Sequence, residues 1–323
     1  MLFNFVPSCL SGKNSKGDTA IKVCKPTIFK FLSIIARNPN KELKQLFHIE
    51  SRGAENEEQL LSLRLGEKHG CFAITDKTCN ELYELAYCIT EDPTLPAGRQ
   101  VAIGWNENSL TDFFAAYPSM HQSFYQALIV YDFPQSILTP SLIYKPEESQ
   151  VLLNTMNGAL AGSHIISELI SEWQMYNTYA VPGEVYKWVN QKFPAARSRH
   201  QYSLAVKKIN AAGNEGILAI DFRQNDFTVI AGRQSRILLA QTFEYTTPDD
   251  VLYYLLKTCR QFSLLQKEVH LQLSGLIDKQ SSLYKELHQY FVNIEFREAG
   301  WKTGSEYPAH FFTSLNDLAQ CAS

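Results

Sequence analysis

The last third of the chain constrains its fold more than any other stretch. Residues 216–222 (GILAIDF) form a short apolar run ending on an acid. Arg223-Gln224-Asn225-Asp226 supplies a turn, and residues 227–231 (FTVIA) supply the partner strand. A third strand is predicted over 237–245. Thr247-Pro248-Asp249-Asp250 then opens a helix reaching about residue 265, with Val251, Tyr254, Leu255, Cys259 and Phe262 on one face. Beyond it come a strand at 269–273 (VHLQL), a helix at 279–290, a strand at 292–296 and a helix at 309–320. The order is β-β-β-α-β-α-β-α. Three meander strands followed by right-handed helical crossovers build a mixed sheet with helices packed on it.

The earlier sequence repeats this plan less clearly. Residues 60–65 and 71–75 are apolar runs joined by Gly66-Glu67-Lys68-His69-Gly70, which predicts a hairpin, and 82–89 continues the meander. Residues 91–98 read as a Pro/Gly loop. Ser109, with Asp112 at capping-box distance, opens a helix with Phe113, Phe114 and Tyr117 on its face, and 127–133 (ALIVYDF) is a buried strand. Residues 134–150 read as a proline-containing loop, and 152–173 as a helix interrupted by Gly158 and Gly162. A strand follows at 175–181, and a helix from Pro182 carries Val185, Tyr186, Trp188, Val189 and Phe193 to its stop at Pro194. An extended segment to His200 and a helix over 203–211 complete the stretch.

The expected fold is therefore α/β, with two ribonuclease-H-like halves in an actin-like ATPase arrangement. The expected divisions are a basic, poorly ordered arm at 1–45, a degenerate first half at 46–150, and connecting helices with the second half at 151–323. The run Tyr179-Ala180-Val181-Pro182-Gly183-Glu184-Val185, then Lys192-Phe193-Pro194 and His200, leads into GILAIDF and VHLQLSG. These residues resemble an uncharacterised bacterial domain-of-unknown-function family that has an actin-like ATPase fold. More distantly, they are similar to the actin-like pilus-assembly and secretion proteins. The resemblance runs from about Gln45 to the C-terminus and implies a fold without implying an activity.

Composition narrows the function classes. At 323 residues with 45% hydrophobic and 12% aromatic content, the chain has material for about two packed domains. Its net charge is −3, which does not favour phosphate-backbone binding by the whole surface. Residues 1–45 nevertheless hold eight Lys/Arg against Asp18 and Glu42, a net +6. The seven cysteines are odd in number and lack C-x-x-C spacing, which suits a reduced, cytoplasmic protein. No uncharged run is apolar enough to predict a membrane span.

An actin-like ATPase wraps phosphate in hairpin turns of Asp-x-Gly type and lays adenosine on a Gly-Gly turn. Glycine is needed there because a side chain would take the ligand's place. The candidate nucleotide-binding residues are Gly66, Gly70, Asp221, Ser274 and Gly275. The first turn has glycines but no aspartate at its strand end. Asp221 is followed by Phe222-Arg223 instead of glycine, with bulk expected where phosphate would approach, and Leu273-Ser274-Gly275-Leu276 keeps one glycine of two. Asp221, Asp250 (beside Asp249) and Asp278 occupy places where ribonuclease-H-like nucleases bind two metals. Ordinary helix-terminal acids explain the latter positions as well. The eight histidines show no metal-ligand spacing, and Gly158 to Gly162 suggests close helix packing, not a phosphate loop.

The expectation is a non-catalytic actin-like scaffold with no cofactor. It would bind a protein partner through the inter-lobe cleft or an exposed sheet edge. The alternatives are an ATP/Mg-binding switch or weak ATPase, and a nucleic-acid-processing protein served by the basic arm.

Overall fold

The computed structural model describes residues 43–50, 58–91, 104–301 and 307–321. The basic arm up to residue 42 and most of the 91–98 loop lie outside the described residues.

The first sheet is built from β1 (Leu43–Glu50), β2 (Gln59–Gly66), β3 (His69–Asp76), β4 (Leu82–Thr90), β5 (Gln126–Asp132) and β9 (Arg197–His200). Between them come α1 (Glu107–Ala116), β6 (Ser136–Pro140), α2 (Pro146–Asn157), β7 (Ser163–Ile170), β8 (Met175–Pro182) and α3 (Gly183–Lys192). The remaining elements are α4 (Gln201–Lys208), β10 (Ile217–Phe222), β11 (Asp226–Arg233), β12 (Arg236–Glu244), α5 (Pro248–Gln261), β13 (His270–Gly275), α6 (Ser282–Tyr290), β14 (Asn293–Phe296) and α7 (Thr313–Gln320).

The six-stranded sheet runs β1-β4-β3-β2-β5-β9 and the five-stranded sheet β12-β11-β10-β13-β14. With β1 set aside, each sheet reads third-second-first-fourth-fifth, so one plan occurs twice. Within each, the meander pairs are antiparallel, and the fourth and fifth strands join in parallel through helical crossovers. A small third sheet, β6-β8-β7, is inserted between β5 and β9.

The strands form where the sequence alternates or runs apolar between turn residues, and α1, α4, α5 and α6 start where a side chain satisfies a free amide. Thr247 and Asp250 form a reciprocal capping box on α5, and Ser281 caps α6. The two faces of the first sheet carry separate cores. One, with Phe72, Phe113 and Trp188, lies under α1 and α3. The other, with Leu60, Leu85 and Val130, lies under Phe312, Leu315 and Leu318 at the chain's end. The second sheet packs under α5 and α6 through Leu255, Leu271 and Leu287. Each such buried side chain contributes about 1.5–3 kcal/mol. The last helix, α7, makes contacts with both β2 and β13, the inner strands of the two sheets.

Several expectations are corrected. The helix predicted over 152–173 is instead the end of α2, a turn at Gly158 and Gly162 (φ +83° and +76°), strand β7 and a short 3-10 turn. The loop predicted over 134–150 contains β6 and the start of α2. The cap of α1 is Asn106, with Ser109 as the reciprocating third residue. Strand β1 begins at Leu43, so a division at residue 45 falls inside it, and a division at 150 falls inside α2. Strand β9, beyond that second division, completes the first sheet. Among the described residues no helix is long and apolar enough to cross a membrane.

Candidate functional site

Strands β2 and β10 occupy the same place in their sheets, and their C-terminal ends converge. Arg64 lies on β2, Asp132 ends β5, and Asp221 lies on β10. Arg64 Nε and Nη2 donate to Asp132 Oδ2 at 3.0 and 2.7 Å, and Nη2 also donates to Asp221 Oδ2 at 2.7 Å. A further Arg64 nitrogen donates to Ser314 Oγ of α7. Thus one guanidinium ties the first sheet to the second and to the last helix. Arg223, in the turn after β10, lies 3.3 Å from Asp132 Oδ2 and pairs through Nε with Asp226, while its Nη2 donates to Thr228 Oγ1 at 2.8 Å. Both arginine side chains are almost fully buried, 3% and 5% exposed.

Burial alone would push the Asp132 carboxyl up. The Arg223 and Arg64 charges outweigh it and hold the group well below the usual carboxylate range. Burial likewise opposes the charge on Arg64, and Asp132 and Asp221 overcome it. His69 Nε2 lies 3.2 Å from Asp132 Oδ2 without hydrogen-bond geometry, and burial pushes this imidazole down, toward the neutral form.

The candidate nucleotide residues fall around this cluster, each with a role inside the protein. A Cβ on Gly66 would lie 2.0 Å from the His69 ring, and one on Gly70 would lie 2.7 Å from Trp105. Side-chain rings therefore rest where phosphate would need open backbone. Trp105 Nε1 also donates to the Gly66 carbonyl at 2.8 Å. Ser274 Oγ donates to Asp221 Oδ1 at 3.1 Å, so both Asp221 oxygens are engaged. Gly275 has φ +79°, and a Cβ there would meet the Phe222 carbonyl at 2.1 Å. Its glycine is thus required by its own neighbouring strand. Phe222 corrects an expectation, because its side chain is buried in the second core, stacked on Phe227, and does not enter the cleft. Arg223 does enter it.

The cavity beside Asp221, Ser274 and Ser314 measures about 20 Å³. That is room for about one water, whereas small-molecule sites measure about 300–1,000 Å³. Both Asp221 oxygens are thus engaged by the protein's own donors, leaving neither free toward that space.

The carboxylates Asp221, Asp250 and Asp278 do not form a metal-holding group. Asp250 accepts from the Thr246 and Thr247 amides at the start of α5, and Asp278 accepts from the Gln280 amide at 2.6 Å. Among the described residues the only group with suitable spacing is His48, Glu50 and Glu84, at the edge of the first sheet. Sequence reasoning missed Arg64 and Asp132. The available signal was a single charge within or at the end of two otherwise apolar strands, LLSLRLG and ALIVYDF.

Among solved structures, a Bacteroides thetaiotaomicron protein with actin-like ATPase fold and unknown function aligns with a TM-score of 0.66 at 17% identity. The alignment covers 82% of this chain and 96% of that one. A PilM–PilN type IV pilus biogenesis complex contributes a chain aligning with a TM-score of 0.52 at 12% identity, over 83% of this chain and 99% of that one. These likenesses show an actin-like ATPase fold. No curated protein matches the sequence. The family described as "Protein of unknown function (DUF3822)" matches residues 52–294, most of the chain, and the chain belongs to that family.

Proposed function

We propose that this protein is a non-catalytic actin-like scaffold that binds a protein partner and works without a nucleotide cofactor. The observation carrying the proposal is the closed Arg64–Asp132–Asp221–Arg223 cluster. Two buried arginines neutralise the carboxylates at the meeting point of the sheets from within, where a cofactor would otherwise bring positive charge. A fold whose cleft is bridged by its own side chains keeps its surfaces in a fixed relation, which suits a binding platform. That an actin-like neighbour occurs in a PilM–PilN complex agrees with partner binding.

The test is titration of Mg-ATP into the purified protein by calorimetry, with phosphate release measured in parallel. No saturable heat, no thermal shift at millimolar ATP and no phosphate release are expected. A site with Kd a hundredfold below the ligand concentration would stabilise the fold by about 2.7 kcal/mol, so binding would be visible. Saturable binding that Asp221→Ala abolishes would overturn the proposal in favour of a nucleotide switch.

A further inference from the structure

We infer that the slot between β7 and β9 receives an extended peptide segment of a partner protein, one with apolar residues at alternate positions and acidic flanks. This deepens the scaffold reading and rests on it. The slot measures about 350 Å³, within the range of ligand sites, and its lining combines the half-buried Ile166 and Phe193 with the polar His164, Ser167, Asn190 and Ser198.

Its two walls are strand edges with outward-facing backbone amides, as hydrogen-bond parity shows. The Ala180 amide donates to the Gln135 carbonyl and the Ser141 amide to the Gln174 carbonyl. The even-numbered residues of β8 therefore face β6, and the odd-numbered ones face β7. In the β7–β8 register, His164, Ile166 and Glu168 stand opposite Val181, Tyr179 and Asn177. The Gly183 amide bonded to the Gly162 carbonyl continues the same parity. Ile165 and Ser167 consequently turn their N–H and C=O groups away from β8, toward the slot.

On the other wall, the His200 amide points away from β5 and donates to Glu168 Oε1 at 2.9 Å. Two residues back, Ser198 turns the same way, and it too lines the slot. At one end of the slot, then, a buried carboxylate from β7 does for β9 what a neighbouring strand's carbonyl would do. Further along, no described residue accepts from the Ile165, Ser167 or Ser198 amides. A strand laid between the walls would pair with both, and alternate side chains would meet Ile166 and Phe193. Lys187 and Arg197, beside slot residues, are exposed and have no carboxylate partner among the described residues. This calls for an occupant with acidic flanks. It disfavours the chain's own first 45 residues, which carry net +6.

The probe is a phage-displayed library of random twelve-residue peptides selected on the full-length protein, with enriched sequences made synthetically and titrated by fluorescence anisotropy. Alternating apolar residues with flanking acids are expected, and so is at least a tenfold loss of affinity when alternate peptide amides are N-methylated. N-methylation leaves the protein untouched, so that loss cannot arise from misfolding. Ile165→Pro and Ser198→Pro remove outward amides without taking a bond from β8 or β5, and each is expected to weaken binding tenfold with an unchanged thermal midpoint. Hydrogen exchange at Ile165, Ser167 and Ser198 is expected to slow on binding. No enrichment, or binding indifferent to N-methylation, would overturn the inference. Protection confined to another surface, such as α2, would overturn it while leaving the scaffold reading standing. Saturable Mg-ATP binding would remove the reading itself.

Discussion

Replacing Asp132 with alanine is the most direct test of the cluster at the sheet junction. The change removes the acceptor of two Arg64 hydrogen bonds and the carboxylate 3.3 Å from Arg223. Two guanidiniums then share a buried space with Asp221 and Asp226 as their remaining partners. Breaking a buried ion pair from one side costs about 3–5 kcal/mol, because the other charge is left unsatisfied. An exposed pair such as Lys77–Glu58, whose side chains are 59% and 53% exposed, is solvated and screened and would cost far less. Burial thus decides the magnitude. For a chain of 323 residues the expected loss lowers the thermal midpoint by roughly 4–7 °C. Urea and thermal unfolding of Asp132→Ala, Arg64→Met and the double variant would measure it. Removing Arg64 relieves the charge that Asp132→Ala strands, so the double variant is expected to lose at least about 1 kcal/mol less than the sum. Additive effects, or a single-variant loss under about 1 kcal/mol, would refute the argument and mean that water solvates the cluster.

Other expectations follow from single residues. His200 is fully buried, with Nε2 donating to the Phe133 carbonyl and Nδ1 accepting from the Tyr202 amide, and burial pushes its pKa down to about 4. The unfolded chain binds this proton below about pH 6.5 and the folded chain does not. Stability should therefore fall by about 3 kcal/mol between pH 6.5 and 4, and urea unfolding of His200→Gln should show a flatter pH slope in that window. The depressed Asp132 carboxyl acts lower, its contribution being complete above about pH 4 and lost as pH falls through its folded value. Gly275→Ala should lower stability by about 3 kcal/mol, because its Cβ meets backbone, whereas Gly158→Ala, at φ +83° in open space, should cost about 1 kcal/mol by thermal unfolding. Thr247→Ala removes one half of the α5 capping box and should cost about 1 kcal/mol by the same measurement.

The second sheet was legible because its strands are short apolar runs bounded by turn residues, with helix caps between them. The inserted sheet was not. Strand β7, Ser163–Ile170, is an edge strand whose mixed burial leaves no clean alternation. The exposed Val151, Leu152 and Met156 of α2 made the adjoining stretch look like one apolar helix. Gly158 and Gly162 carried the correct signal, since both take positive φ where a helix would have had to continue. At the site, Asp221 could be found because its strand order predicts its place. Its neutralisation by Arg64, 157 residues away, could not, because an arginine in a strand carries no mark of which carboxylate it will meet. The glycines of the first hairpin were read for phosphate, but the His69 and Trp105 rings explain them.

Arg64 also sets an order in time. Its partners lie 68, 157 and 250 residues further along the chain, in two sheets and the last helix. During synthesis Arg64 has only Asp132 for company until the second sheet emerges, and Ser314 follows later still. Contacts of such sequence separation form late and slowly. A ribosome-bound chain that has not yet released α7 would leave β2 without that cover and its core face open. The junction therefore closes fully only when the chain has emerged at least as far as Ser314.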